Sequence, residues 1–391
     1  MNRIFDKLLV AFILCTGAVF SVVGMPLDRL KTAGATEFEI GMAMAVSPGI
    51  PQSPVPEARL SPQLSSPNLK LFWQQLNIPN PPPGRIFSSL TLDSTTKRAL
   101  LFGGFNSDAG DLYDLWSTDG YEWIQLTSAI NPIGRTGASM AYDEARQETI
   151  LSGGIHGYEY FGNTWRYIYA YDWSQQFPQV SPPPRAYACM AYDAARDETL
   201  LFGGINQTNW DYPPLNDTWT WDGTNWQQQF PSTLPDQRLD ANMVYDRARQ
   251  NIVLFGGAAG GSLLNDTWIW DGTTWIEQHP VHNPPGRADF GMAYDEGREQ
   301  VILFGGQVLY GIYSDTWAWD GGDWTQLQTF GKPPVELSYG AQLVYLPDLQ
   351  ATALIGDFRQ KLCNAECTFP EETQVWVLVD RYLTYLPVIS R

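Results

Sequence analysis

A diglycine that closes a short apolar run recurs along this chain and constrains its fold more than any other feature. It occurs as LLFGG, ILSGG, LLFGG, VLFGG and ILFGG, with first glycines at Gly103, Gly153, Gly203, Gly256 and Gly305. The spacings are 50, 50, 53 and 49 residues, and a degenerate sixth copy, ALIGD, follows. A period of about 50 residues indicates a repeat architecture, in which each unit buries its apolar faces against its neighbours.

Two series of tryptophans keep the same step, and each series has six members. The first series is Trp116, Trp165, Trp219, Trp268, Trp317 and Trp376, and the second is Trp73, Trp123, Trp173, Trp226, Trp275 and Trp324. The fourth unit predicts strands over 241–245, 252–255, 267–270 and 274–278, with an Asp-Gly hairpin turn at 271–272. A four-stranded sheet repeated radially is the blade of a β-propeller.

The tryptophan series also predict how the ring closes. The second series begins at Trp73, before the first diglycine, whereas the last unit stops at VWVLVD without a fourth strand of its own. We expect the strand around Trp73 to complete the sixth blade, because this pairing joins both ends of the ring and removes a free sheet edge. The predicted fold class is all-β, a six-bladed propeller of four-stranded blades over residues 69–380.

The diglycine after an apolar strand, the third-strand tryptophan and the second tryptophan beyond it together resemble the kelch repeat. The resemblance covers roughly residues 70 to 380, with five clear copies. It implies a kelch-type propeller, a fold whose members include protein-binding modules, carbohydrate-linked enzymes and structural proteins. The resemblance predicts the architecture and leaves the function to individual side chains.

The N-terminal residues have the pattern of an export signal. Arg3 and Lys7 precede an uncharged apolar run at 8–23, which is short for a membrane span. We expect residues 1–24 to be a signal peptide or an uncleaved N-terminal anchor, which is the one membrane attachment that the sequence suggests. Residues 25–68 are rich in proline and serine and predict a linker.

The export signal places the predicted propeller outside the cytoplasm: extracellular, on the cell surface or in a periplasm. In such a compartment the neighbouring Cys363 and Cys367 predict a local disulfide. Residues 381–391 form a C-terminal tail that either docks on the ring or adds a short strand.

Charge and histidine content exclude several classes of function. The net charge of −18 repels phosphate backbones and anionic headgroups, so we expect no nucleic-acid partner. The sequence contains three histidines, which are too scattered for a metal site or a nucleophile triad. We predict no catalytic residue, no metal, no cofactor, and a monomeric propeller.

The loops between second and third strands should emerge at the same end of the ring as the loops between blades. We take this end as the candidate binding face. Trp210 stands outside the repeat pattern, beside amides and a carboxylate, which suits sugar or peptide recognition, although it could equally cover its loop. The candidate ligand-binding residues are Asn206, Asn209, Trp210, Asp211, Tyr212, His156, Tyr158, Tyr160, Tyr310 and Tyr313.

An arginine opens the first strand of five units, at Arg85, Arg135, Arg185, Arg238 and Arg287. In one interpretation, Arg135, Arg185, Arg238 and Arg287 are candidate ligand-binding residues on a cationic rim that attracts an anion. In the other, each arginine pairs within its blade with Asp114, Asp217, Asp266 or Asp315. The sixth unit has Glu336 and Gln374 at the two positions, and this joint loss favours the paired interpretation.

These observations lead to one functional hypothesis and two alternatives. The hypothesis is an exported, non-catalytic module that recognises a protein or a glycan on the candidate face. A carbohydrate-active enzyme is the first alternative, and it should show a compact set of non-repeating polar residues with perturbed ionisation at the channel mouth. The second alternative is a structural envelope component, for which neither face would differ from the other.

Overall fold

The described part of the chain folds into six main sheets, five of four strands and one of five, that surround a central channel. The computed structural model describes residues 70–169, 171–206, 213–308, 311–331, 333, 340, 342–356 and 372–380. Within these residues every regular element is a strand. The described part accordingly contains no helix with the length and apolarity needed to cross a bilayer. The predicted six-bladed β-propeller is confirmed.

The strands follow the chain around the ring, and the first of them, β1 (Leu71–Leu76), belongs to blade 6. Blade 1 contains β2 (Ser89–Asp93), β3 (Arg98–Phe102), β4 (Phe105–Asn106), β5 (Gly110–Asp111), β6 (Leu115–Thr118) and β7 (Trp123–Leu126). Blade 2 contains β8 (Ser139–Asp143), β9 (Glu148–Ser152), β10 (Ile155–His156), β11 (Glu159–Tyr160), β12 (Thr164–Ile168) and β13 (Asp172–Gln176). Blade 3 contains β14 (Cys189–Asp193), β15 (Glu198–Phe202), β16 (Thr218–Trp221) and β17 (Trp226–Gln229).

The second half of the ring repeats this order. Blade 4 contains β18 (Asn242–Asp246), β19 (Asn251–Phe255), β20 (Ala258–Ala259), β21 (Ser262–Leu263), β22 (Thr267–Trp270) and β23 (Trp275–Gln278). Blade 5 contains β24 (Gly291–Asp295), β25 (Gln300–Phe304), β26 (Gln307–Val308), β27 (Gly311–Ile312), β28 (Thr316–Trp319) and β29 (Trp324–Leu327), and β30 (Thr329–Phe330) follows it. Blade 6 contains β31 (Gln342–Leu346), β32 (Ala351–Gly356) and β33 (Gln374–Val379).

Strand β1 closes the ring, as the sequence predicts. It pairs antiparallel with β33, with Trp73 opposite Leu378. It also pairs parallel with β30, where Leu71 lies opposite Thr329. The second pairing was not predicted, and it joins blade 6 to the chain that leaves blade 5, so the closing strand has partners on both sides.

The second strand of each blade is mainly apolar after its first residues because it lies inside the sheet with a neighbouring blade on each face. In blade 1, Leu100, Leu101 and Phe102 have 1%, 2% and 0% of their surface exposed. The diglycine that follows has a steric cause. Gly104 has a φ of +92°, and a β-carbon there would lie 2.7 Å from the carbonyl oxygen of Ile86, so a side chain is excluded.

The core lies between the blades, and the second tryptophan series binds each seam. The Trp275 ring of blade 4 packs 5.2 Å from the Phe202 ring of blade 3, and its indole N–H donates to the Thr218 hydroxyl at 3.0 Å. The same donation to a threonine of the preceding blade is made by Trp73, Trp226 and Trp324. Trp123 and Trp173 have buried indole N–H groups without an acceptor.

The predicted strands of the fourth unit match the observed ones to within one residue at each end. The sequence did not predict the short hairpins between second and third strands. They occur as β4–β5, β10–β11, β20–β21 and β26–β27. Two-residue strands give too short a pattern to be recognised from alternation.

Candidate binding face and channel mouth

The loops between the second and third strands meet the loops between blades at one end of the ring. We call the chain from a fourth strand to the next first strand a connector, at 77–88, 127–138, 177–188, 230–241 and 279–290. In each of these five connectors, one residue forms a β-bridge with the residue after a diglycine, as Ile86 does with Phe105. The connectors and these loops therefore form one surface, the connector face, at the end where the sequence placed the candidate binding face.

The hairpins of blades 1 and 2 carry exposed aromatic and polar side chains. Tyr113 and Tyr158 have 61% and 53% of their surface exposed. The half-exposed His156 ring holds its Nδ1 atom 2.9 Å from the Gly134 carbonyl oxygen and 3.1 Å from Asp111 Oδ2. Burial raises the pKa of Asp111, although the Gly157 amide and the His156 charge act in the opposite direction.

The remaining loop candidates are only partly described. Tyr160 lies in β11 and is half-buried. Asn206 is half-buried directly after the bridge residue Ile205, and the Tyr313 ring lies 4.4 Å from the Arg287 guanidinium carbon. Other candidates lie outside the described residues: Asn209, Trp210, Asp211, Tyr212 and Tyr310, together with Cys363 and Cys367.

The arginines that open the first strands pair within their blades, as the paired interpretation predicts. Arg185 Nη1 and Nη2 each donate to one oxygen of Asp217, both at 2.7 Å. Nη1 also donates to the Gly203 carbonyl, which follows the strand that the arginine anchors. The same bidentate pairs are Arg85 with Asp114, Arg238 with Asp266 and Arg287 with Asp315.

These pairs leave little for a ligand to bind. The guanidinium groups are buried, and each carboxylate also accepts an indole N–H, as Asp217 does from Trp219 at 2.6 Å. Burial alone would raise the pKa of Asp217, but the hydrogen bonds and charge of Arg185 hold that pKa below its usual value. Because the donors are consumed internally, this arrangement favours a structural role for Arg185, Arg238 and Arg287 over anion binding.

Arg135 in blade 2 is the exception. Asn163 stands where the other blades have aspartate, and its Oδ1 accepts one bond from Arg135 Nη1 at 2.8 Å. Arg135 Nη2 and Trp165 Nε1 are both buried without an acceptor. The Arg135 guanidinium stacks 4.2 Å from the Phe161 ring centre, and burial lowers its pKa to about 10.

The channel opens on the connector face through a ring of equivalent residues, one from each connector. Each residue lies two positions after the first-strand arginine and has a positive φ: Phe87, Gly137, Tyr187, Asp240 and Asp289. Each amide N–H from Gly137 onward donates to the carbonyl of the preceding member at 2.8–3.1 Å. This set of five residues, the mouth ring, places four side chains and one glycine at the channel entrance.

The members of the mouth ring differ from blade to blade. Phe87 and Tyr187 meet edge to face with ring centres 5.5 Å apart. They meet across Gly137, where a β-carbon would lie 2.7 Å from the Tyr187 ring. The carboxyl groups of Asp240 and Asp289 lie in hydrogen-bond contact with each other. The entrance is aromatic on one side and carboxylic on the other.

Behind the mouth ring, the channel encloses about 330 Å³. Its wall combines apolar side chains such as Met140 and Val344 with polar ones such as Asn242. At the far end Arg247 forms ion pairs with Glu144 and Glu296, which come from blades 2 and 5. Three separate blades are therefore joined by charge at that end of the channel.

Sequence reasoning missed Asp240 and Asp289, although a signal was present. Alignment of the units at their arginines places Phe87, Gly137, Tyr187, Asp240 and Asp289 in one column, and a variable column inside a conserved repeat marks a position that does not serve the fold alone.

Two further groups have structural roles inside the blades. Cys189 is a buried free thiol whose pKa burial raises to about 12. The Asp-x-x-Arg sets are local pairs, as in Asp143 with Arg146 at 2.7 Å. The described part of the chain contains no group of three or more histidine, cysteine, aspartate or glutamate side chains that could hold a metal ion.

Comparison with known proteins adds no family assignment to this geometry. No protein-family model matches the chain, and no curated protein is significantly similar to it in sequence. The six-bladed propeller is therefore established by the structure itself.

Proposed function

We propose that this protein is an exported, kelch-type propeller that recognises a protein or a glycan on its connector face. The observation that carries the proposal is a division of labour among its polar groups. The recurring arginines and aspartates satisfy one another inside the blades, whereas the side chains of the hairpins and the mouth ring do not follow one repeated pattern. A rigid frame with variable loops is a common design for binding.

Two features of the sequence support the finer parts of the proposal. The diglycine and tryptophan pattern is that of kelch repeats, and the N-terminal apolar run supports export to an extracellular, cell-surface or periplasmic location. The net charge of −18 argues against nucleic acid as the partner. We propose a monomeric ring, with no membrane attachment apart from an uncleaved N-terminal anchor.

The test is a binding screen of the full chain against arrayed glycans and envelope proteins. A hit should weaken at least tenfold in Tyr113→Ala or Tyr158→Ala, because truncating an aromatic anchor commonly costs about 1.4 kcal/mol or more. Tyr121→Ala is the matched control, since Tyr121 lies in the turn between β6 and β7 at the other end of its strands and is 37% exposed. Saturable binding that survives both connector-face changes would overturn the proposal.

A carbohydrate-active enzyme is the second candidate, favoured by the non-repeating Asp240 and Asp289 at the channel mouth. Their contact is closer than the separations of about 5 Å or more between the carboxyls of glycoside hydrolases. Hydrolysis through this pair would therefore require the two groups to separate. Mass spectrometry of glycans incubated with the protein and with Asp289→Asn tests this candidate, and product formation that depends on Asp289 would favour it over simple recognition.

A further inference from the structure

The Asp240–Asp289 pair connects two blades at the channel mouth. Asp240 precedes β18 of blade 4 and Asp289 precedes β24 of blade 5, so the residues are equivalent members of the mouth ring. The Asp289 amide donates to the Asp240 carbonyl at 3.1 Å, which fixes the two backbones side by side. Their carboxyl groups are hydrogen-bonded to each other across the same seam.

A contact between two carboxyl groups requires a proton. Ionised carboxylates have only acceptor oxygens, so one of the two must be protonated to donate to the other. The Gln307 amide donates to Asp289 Oδ2 at 2.6 Å, and Gln307 is 3% exposed. Because this donor favours the charged form of Asp289, the proton belongs on Asp240, which then donates to Asp289.

The described surroundings contain no cation free to replace that proton. Arg238 and Arg287 precede the two aspartates, but both are bound bidentate to the carboxylates of their own blades. Tyr187 is the neighbouring ring member from blade 3, and a phenol carries no positive charge that could replace the proton. The Cys189 thiol lies close enough to Arg238 for that charge to lower its pKa slightly. Burial has the larger effect and raises the pKa of Cys189 to about 12, so the thiol is neutral.

We propose that Asp240 and Asp289 share one proton that latches blades 4 and 5 together at the channel mouth, and that loss of this proton loosens the seam. The inference does not depend on what the connector face binds. Below the transition the pair carries one negative charge and a hydrogen bond. Above it, the pair carries two charges in contact, and one carboxylate must turn away into the channel.

The ionisation of the pair places loss of the shared proton well above the usual titration range of an aspartate. Burial raises the pKa of Asp289 to about 7, and burial together with the Asp289 charge raises that of Asp240 well above its usual value. An aspartate in the unfolded chain has a pKa of about 3.9, as in model peptides. The folded state therefore holds more protons than the unfolded state between about pH 4 and 7, so this pair makes stability fall as the pH rises through that window.

The test is the thermal unfolding midpoint of the full chain at about pH 4, where unfolded aspartates are still partly protonated, and at about pH 8.5. In Asp240→Asn the amide donates to Asp289 without needing a proton, so the latch should persist at both pH values. At the higher pH this variant should unfold about 3 °C or more above the unaltered protein, and at the lower pH the two should agree within about 1 °C. Asp108→Asn, which removes an exposed carboxyl from the β4–β5 turn, is the charge-matched control.

A second measurement keeps the inference testable if the variant folds poorly. Carbon-13 NMR of the aspartate side chains in the unaltered protein should show one carboxyl group that remains protonated at about pH 6, where exposed aspartates are ionised. The inference is overturned if every aspartate is ionised at that pH, or if Asp240→Asn and Asp108→Asn shift the midpoint at high pH by the same amount.

Discussion

Blades 2 and 4 solve the same packing problem with different side chains, and the difference separates what the repeat requires from what it prefers. In blade 4, Arg238 binds both oxygens of Asp266, and one of these oxygens also accepts the Trp268 indole N–H at 2.6 Å. Three buried donors are thus satisfied by one carboxylate. Its negative charge also compensates the buried guanidinium.

In blade 2 the arginine remains but the carboxylate is lost. Asn163 satisfies one donor of Arg135 and leaves two buried donors without acceptors. The guanidinium keeps its bond to the Gly153 carbonyl at 2.8 Å. All five first-strand arginines therefore share the hydrogen bond to the carbonyl at the end of the second strand. The carboxylate partner adds further stability where it is present.

The largest expected effect comes from giving blade 4 the defect of blade 2. Asp266→Asn should lower the free energy of unfolding by about 3 kcal/mol, because it strips the partner from a buried charge. Urea unfolding of the full chain measures the loss. Asp236→Asn, which removes an exposed carboxyl from the connector before Arg238, is the control. A loss no greater than that of the control would mean that the stability of the ring does not depend on the negative charge of Asp266.

The converse change should repair blade 2. Asn163→Asp supplies the acceptor that Arg135 Nη2 and Trp165 Nε1 lack, and it should raise the free energy of unfolding by about 1–2 kcal/mol at neutral pH. The same urea experiment applies. If Asn163→Asp is destabilising, the backbone of blade 2 has moved too far for a bidentate pair, and the two blades differ in more than one side chain.

The gain from Asn163→Asp should depend on pH in a defined direction. In the intact blades arginine holds the pKa of the partner aspartate below its usual value, as for Asp114 and Asp217. A carboxyl with a depressed pKa stabilises the fold above its unfolded pKa of about 3.9 and loses that contribution as the pH falls through its folded pKa. Thermal midpoints of the variant and the parent should therefore converge near pH 2, to within about 1 °C. A gain that persists in acid would indicate that charge is not its source.

The smallest expected effect concerns the seams between blades. Thr267→Val removes the acceptor of the Trp324 indole N–H. The seam then resembles the one between blades 1 and 2, where Leu115 stands at the threonine position and the Trp173 indole N–H has no acceptor. The free energy of unfolding should fall by about 1 kcal/mol. Thr267→Ser retains the hydroxyl and serves as the control. If the valine variant is the more stable of the two, packing outweighs the hydrogen bond at these seams.

The sequence predicts those features that depend on residues recurring in several repeat units. Blade number, the closing role of Trp73 and the pairing of arginine with aspartate all follow from columns of equivalent residues, and the structure bears them out. The Asp240–Asp289 contact could not be derived in the same way. Its existence depends on the distance between neighbouring members of the mouth ring, and this distance comes from the curvature of the ring and not from any local pattern.

The hairpins on the connector face escaped prediction for a related reason. A two-residue strand such as β20 or β26 is defined by its partner across the turn, since its own sequence is too short to show alternation. The exceptional pairing of Arg135 in blade 2 is visible in the sequence, because Asn163 stands where other blades have aspartate. Its consequence, two unsatisfied donors, becomes apparent only when the neighbouring tryptophan is placed beside it.

The closing pair of β1 and β33 also determines when the molecule can become whole. Gln75 and Gln374 touch across this pair, yet they are separated by 299 positions in the chain. During translation β1 leaves the ribosome long before β33 is synthesised. Strand β1 therefore has no antiparallel partner while the first five blades are made. Because distant contacts form slowly, completion of blade 6 is expected to be the last event in maturation and the moment at which the ring first resists proteolysis.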